Sequence, residues 1–292
     1  MIRGKYYLGR VVKINLDQEQ LMNAIVNAPT INIGRFDWTI TDVKDCREDE
    51  VPYVFGKLSK YAKEGHAKVI DEIKKSQVEA DVPNLLIASS PFIYLTEFSG
   101  IAFLHVWNEI KVKTFPSRFK SIVEAAFDNL LVACDIELIS DYKAFTSKLK
   151  NLKELTELSV TVYPPNPLFG RLWGSLNDYI ECRNATEVTV KEQTSKPEGI
   201  KTNIIELMDR IMDSPDYDPQ EVPAIGDAAI LMAADGYGKG KVVGVENGEE
   251  VVIRTSDTQK SFLHVKEPIP EELAVEARIQ FDKVSKERDM DH

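Results

Sequence analysis

The sequence is poor in the residues that build chemistry. Its 292 residues hold three cysteines and four histidines. Cys46, Cys134 and Cys182 are far apart, odd in number and never in a C-x-x-C pair, which argues against a regular disulfide framework and offers no metal-site spacing. Cys134 lies in an apolar run and reads as a small core residue. His66, His105, His264 and His292 stand alone, and His105, on an expected strand, reads as packed rather than ligating. There is no G-x-S-x-G elbow, no P-loop and no G-x-G-x-x-G fingerprint. No catalytic residue, no metal ligand set and no cofactor is therefore expected. No stretch approaches the roughly 20 apolar residues of a membrane span, so no membrane partner is expected. Met1 to Tyr7 passes straight into a strand-like run, without the basic and then apolar segments of a secretory leader. The expected compartment is the cytoplasm.

What is present is an uneven distribution of charge. From Asn203 to His292 there are 20 Asp and Glu against 10 Lys and Arg, whereas residues 1–202 hold 27 acids and 26 bases. Nearly all of the net charge of −11 therefore sits in the last third. Composition is otherwise that of a globular chain, 43% hydrophobic and 28% charged, long enough for one large or two small domains.

Periodicity supplies the elements. Strands are predicted over 5–15, 33–42, 52–58, 84–88, 92–97 and 101–106, with a helix over 18–28 capped by Asp17. Residues 68–75 fit a helix or a strand equally. Ser89-Ser90-Pro91 and Ser99-Gly100 read as turns between strands. The middle changes rhythm: Phe119, Ile122, Val123, Ala126, Phe127 and Leu130 form one stripe of a helix over 117–130. A strand at 132–139, a short helix carrying Phe145, Leu149 and Leu152, a strand at 155–163, a helix over 168–182 and a strand at 187–193 follow. Pro164, Pro165 and Pro167 must end the strand at 155–163, since proline denies a ladder its donors. Ile204, Ile205, Met208, Ile211 and Met212 define another helix, and the proline-rich, acidic 213–223 is the linker candidate. Beyond it, 226–233, 240–245 and 250–255 read as strands, the last two joined at Asn247-Gly248, a hairpin signal. Leu273, Ala277, Phe281 and Val284 stripe a last helix over 271–286, which docks on its own domain or, alternatively, on another subunit. The expected fold is α+β: mostly antiparallel sheet with helices on one face, a body of 1–212, and an acidic, β-rich module of 213–292 ending in a helix.

Three features carry possible function. Gly236-Tyr237-Gly238-Lys239-Gly240-Lys241 is Gly-rich and basic, but its spacing fits no phosphate fingerprint and it reads as a turn between strands. Asp42, Asp45, Glu48, Asp49 and Glu50 could hold Mg²⁺ for a nuclease, but Lys44 and Arg47 interleave them and favour a solvated loop. The strongest feature is basic: Lys111, Lys113, Arg118 and Lys120, interleaved with Phe115 and Phe119, then Lys143, Lys148, Lys150 and Lys153, with Arg171 and Arg183 extending the strip. On one face these would neutralise phosphates of DNA or RNA.

Val162-Tyr163-Pro164-Pro165-Asn166-Pro167 with Asn184-Ala185-Thr186-Glu187-Val188-Thr189-Val190, and later Asp235 to Lys241, resemble a bacterial domain-of-unknown-function family of phage-defence islands. In overall order the chain is more loosely similar to the Rex exclusion sensor protein of temperate phage, a DNA-binding dimer. The resemblance implies phage exclusion or defence, nucleic-acid binding, a homo-oligomer or a defence-system protein partner, and no catalytic residues. The leading expectation is a non-enzymatic protein that senses or binds nucleic acid through 111–153. An adaptor or inhibitor whose acidic surface meets a basic partner is the second, and a metal-dependent nuclease the third.

Overall fold

The computed structural model describes residues 2–165, 169–214, 222–288 and the backbone of 290–291. The chain is α+β and mostly antiparallel, as its patterning predicts. Its N-terminal half is one large sheet built from β1 (Arg3–Ile14), β2 (Ile31–Ile33), β3 (Phe36–Cys46), β4 (Tyr53–Asp71), β5 (Ser76–Leu95) and β6 (Gly100–Leu104). β1 sits between β6 on one edge and, in tandem on the other, β7 (Ala133–Leu138) and β13 (Ser261–Val265). Helix α1 (Gln18–Val26) starts on the Asp17 capping box, in which Asp17 accepts from the Gln20 amide at 2.8 Å.

The runs at 52–58, 68–75, 84–88 and 92–97 are two long strands, β4 and β5, rather than several short ones. The ambiguous 68–75 is the end of β4 and its hairpin turn. Ser89-Ser90-Pro91, expected as a turn, lies inside β5. Ser90 is buried there and donates to the Leu104 carbonyl at 2.6 Å, and Pro91 falls just before the β5–β6 ladder begins at Phe92.

Both faces of this sheet are covered. Over one lie α1 and α2 (Thr114–Ala125), whose Leu21, Ile25, Phe115, Phe119, Ile122 and Val123 pack with Val11, Trp38, Leu58 and Phe103. Over the other lie α3 (Tyr142–Leu149), α4 (Gly174–Cys182), α5 (Ile204–Asp213), α6 (Ile225–Met232), α7 (Pro270–Glu287) and a second sheet of order β10-β8-β11-β12. Those strands are β8 (Glu154–Val162), β10 (Val188–Gln193), β11 (Gly238–Glu246) and β12 (Glu249–Arg254), and a short β9 (Phe169–Gly170) pairs with β14 (Met290–Asp291). Helices on one face were expected, and the described helices occupy both.

Two further differences concern the last third. Residues 226–233, expected as a strand, form α6; every residue from Gly226 to Met232 is buried, so the run shows neither the period of a strand nor that of a helix. The expected body of 1–212 and module of 213–292 share their sheets: β11 pairs along β8, and β13 pairs with β1. Part of the expected linker, residues 215–221, lies outside the described residues. The hairpin at Asn247-Gly248 forms as predicted, with both residues at positive φ (54° and 86°). The stripe of α7 docks on its own chain, with Leu273, Ala277, Phe281 and Val284 buried and Phe281 stacked on Phe98 at 5.3 Å. Among the described residues no helix is long and apolar enough to cross a membrane.

Candidate functional site

The basic strip does not share one surface. Side chains of α2 pack on one face of the large sheet and those of α3 on the other, so the lysines of the two helices are carried on opposite sides of it. On the α3 side, Lys150 pairs with Asp209 at 2.7 Å and Lys148 reaches the Asp257 carbonyl at 3.4 Å, while Lys143 and Lys153 are exposed. Arg171 lies exposed in the turn before α4, and Arg183 caps that helix.

Even the residues of α2 diverge. Lys120 turns to Asp135 at 3.1 Å and Glu124 at 3.7 Å. Together with Lys113 it lines a cleft of about 340 Å³ whose other charged groups are Asp135, Glu137 and Lys239. Glu137 is buried on β7, and burial pushes its carboxyl up to about 7 against the opposing pull of Lys239, which sits at 3.0 Å. The ion pairs of this cleft largely cancel its charge. Arg118 instead lays its guanidinium over the Trp38 ring, 5.4 Å from the centroid.

Lys111 belongs to a different group. After β6 the chain closes a tight loop in which Val106 and Ile110 exchange backbone hydrogen bonds at 3.0 Å, with Asn108 in the left-handed region at φ 67°. Fully buried Ile110 anchors the loop, and Trp107 at its tip is 79% exposed. The Trp107 ring meets the edge of His105 at 5.8 Å, and His105 meets Tyr7 at 6.1 Å. Lys5 lies over the Tyr7 ring at 5.0 Å. Burial and then the charges of Lys5 and Lys111 hold His105 below the ordinary imidazole range, so the imidazole is neutral at pH 7. Beyond the loop, Glu109 pairs with Lys60 at 2.9 Å, and the Lys60 ammonium lies over Phe36 at 3.9 Å. The exposed indole thus stands against His105, which feels the charges of Lys5 and Lys111, and two residues from Glu109, which holds Lys60.

Of these residues the strip contained Lys111 and Arg118. Trp107 was legible in principle as an indole set in a polar turn, Trp107-Asn108-Glu109, just before a lysine. Lys5 and Lys60 carry no local signal, because only the pairing of β1 with β6 and of β3 with β4 brings them to the loop.

The other candidates have structural partners. Asp42 pairs with Lys57 at 3.0 Å and Asp45 with Arg47 at 2.8 Å, and among the described residues no three His, Cys, Asp or Glu converge to hold a metal. The Gly-rich segment follows a helix, not a strand, and runs into β11; Gly236, Tyr237, Gly238 and Gly240 are buried, whereas Lys239 is exposed. Asp235 accepts from the Tyr142 hydroxyl at 2.6 Å, Arg288 Nη1 at 2.8 Å and Trp173 Nε1 at 2.9 Å, all buried. Gly236 has φ 91°, and a Cβ there would stand 2.6 Å from Arg10 Cγ. Several acids of the last third are likewise bound to the rest of the chain, Glu267 to Lys57, Glu271 to Lys44 and Asp209 to Lys150.

A family model described as a domain of unknown function, DUF4747, matches residues 18–208, more than half of the chain. The chain belongs to the DUF4747 family. The matched span runs from α1 to α5 and so holds the Trp107 loop, Lys60, Lys111 and Arg118 of this DUF4747 member, but neither Lys5 nor Asp235. No curated protein matches it.

Proposed function

We propose that this chain binds single-stranded nucleic acid at the Trp107 patch, as a sensing rather than a catalytic component, in the phage-defence setting that its resemblance implies. The observation that carries the reading is the 79% exposure of Trp107, whose ring meets His105 at 5.8 Å, an imidazole on which the charges of Lys5 and Lys111 act. A base stacks on the indole, and the flanking phosphates lie on the two ammonium groups. Contacts of this kind with phosphates make the binding steeply salt-dependent.

Fluorescence tests this directly, because the other two tryptophans, Trp38 and Trp173, are buried at 3% and 1% exposure. Titrating an oligothymidylate into the protein at low salt is expected to quench the emission. Trp107→Ala is expected to weaken binding by about 1–3 kcal/mol, the usual worth of one stacked base. Absence of quenching, or unchanged affinity in the Trp107→Ala and Lys111→Glu variants measured by anisotropy of a labelled oligonucleotide, would overturn the reading.

A further inference from the structure

The covering of the large sheet ends part-way along β4. Successive side chains of a strand alternate between faces and cross-strand partners share one, so Tyr53, Phe55, Lys57, Ser59 and Tyr61 lie on the same side of β4. Tyr53 and Phe55 are buried there in one core with Leu273 and Phe281 of α7. From Lys57 outward the face opens into a groove of about 560 Å³. Its floor is a sheet face: Thr39 and Thr41 of β3 stand opposite Ser59 and Lys57, and Ser89 and Leu86 of β5 stand opposite Ser59 and Tyr61.

Two interruptions of the ladders aim polar groups into this groove. On β5 an extra residue, Ile87, stands between the rungs Tyr61–Leu86 and Lys60–Ala88. Strict alternation from Leu86 would give the next place on the groove side to Ala88; the bulge gives it to Ser89. On β3, Asp42 and Val43 stand against the single Gly56, and Asp42, left-handed at φ 51°, is brought over Lys57 at 3.0 Å. Asn84, at the groove's other end, is left-handed as well, at φ 55°, where the β4–β5 ladder omits the rung opposite Lys63. Bulges and left-handed side chains of this kind gather at binding sites. The bulge on β5 also leaves a need behind it. Ser89 Oγ is buried and has no hydrogen-bond partner, so a ligand that bonds to it relieves the penalty of an orphaned hydroxyl.

The lining discriminates among ligands. Its one cation, Lys57, is held by both Asp42 and Glu267, at 3.0 and 3.3 Å, which leaves one negative charge in excess and disfavours an anion. Among the described residues no three His, Cys, Asp or Glu converge to hold a metal. A peptide cannot add as a strand, because the backbone groups of the floor are spent in the ladders. A wholly apolar ligand would leave Ser89 unpaired. A neutral sugar fits each part: its hydroxyls both donate and accept, as do those of Thr41, Ser59 and Ser89 and the Asn84 amide. The C–H face of its ring matches the Tyr61 ring and the 58% exposed Leu86 beside it.

We propose that this groove binds a neutral sugar, its ring laid on Tyr61 and Leu86 and its hydroxyls bonded to Ser89, Asn84 and the Asp42 carboxylate. The site is separate from the Trp107 patch, since Lys60 lies on the opposite face of β4.

The full chain, labelled at the exposed Cys182, is tested on an array of short neutral, sialylated and sulfated glycans. Binding to neutral glycans is expected, and the strongest of them is then titrated into unlabelled protein by calorimetry. Tyr61→Ala and Asn84→Gly are each expected to weaken that binding roughly tenfold or more, whereas Tyr61→Phe, which keeps the ring, retains most of it. None of the three is expected to shift the melting temperature, because neither residue belongs to the core. If Tyr61→Ala does melt early, Asn84→Gly carries the test, since glycine accepts the left-handed backbone. Lys68→Ala, on the opposite face of the hairpin, is expected to bind as wild type does. The proposal is overturned if no neutral glycan binds, if acidic glycans bind in preference, or if folded Tyr61→Ala and Asn84→Gly bind the neutral glycan with wild-type affinity.

Discussion

Glu137 shows how one side chain records the tertiary environment. It lies on β7 between Asp135 and the lysines of the cleft, and burial lifts its carboxyl from 4.5 to about 7. In the unfolded chain the group ionises near its ordinary value, while in the folded chain it resists ionising until about pH 7. The stability it permits is therefore fully present below about pH 4.5 and lost as pH rises to 7, a change of about 3 kcal/mol. Glu137→Gln abolishes that titration. Urea unfolding of the variant is expected to show stability that improves relative to wild type by about 3 kcal/mol between pH 4 and pH 8. Parallel pH profiles for the two proteins would contradict this. Trp107 lies at the opposite extreme, an apolar side chain left in water. A single exposed aromatic is unremarkable by itself.

Among the elements, amphipathic helices were legible and long strands were not. The stripe over 117–130 predicted part of the buried face of α2: Phe119, Ile122 and Val123 are buried, whereas the helix ends at Ala125 and Ala126 and Leu130 are exposed. β5 was cut short because Ser89, Ser90 and Pro91 form turns in most contexts, and here a buried serine hydroxyl and a ladder boundary accommodate them. α6 was misread because a uniformly apolar run has no period. The separation of α2 from α3 has a functional consequence. Lys143→Glu with Lys148→Glu is expected to leave oligonucleotide affinity within about twofold of wild type, whereas Lys111→Glu lowers it roughly fivefold or more at low salt. Equal losses in an anisotropy titration would show instead that the helices act as one strip.

At the scale of the molecule, the acidic last third closes the fold. β11 supplies β8 with its second neighbour, and β13 completes the edge of β1. Arg288, just past α7, donates to Asp235 and to the carbonyls of Ser140 and Ala234, so the end of the chain is tied into the centre of the core. Removing one partner of such a buried ion pair costs about 3–5 kcal/mol. Deleting residues 214–292 removes this pair and strips Leu158, Val160 and Val162 of their neighbours. The truncated chain is expected to lack near-ultraviolet circular dichroism and a cooperative melt; a sharp, reversible transition would show that 1–213 folds independently.

The sequence by itself determined the α+β class, the capped start of α1, the Asn247-Gly248 hairpin, the apolar face of α7 and part of that of α2. Each of these follows from local rules, in which spacing of a few residues sets which side chains share a face. Only the tertiary structure decided that α2 and α3 present their lysines on opposite sides of a sheet, that Lys5 and Lys60 stand near Trp107, and that Asp235 is an internal anchor for Arg288. The physical reason is that spacing governs direction within one element, whereas the face to which an element is carried depends on strand pairings tens to hundreds of residues apart, such as Arg3 with Val265.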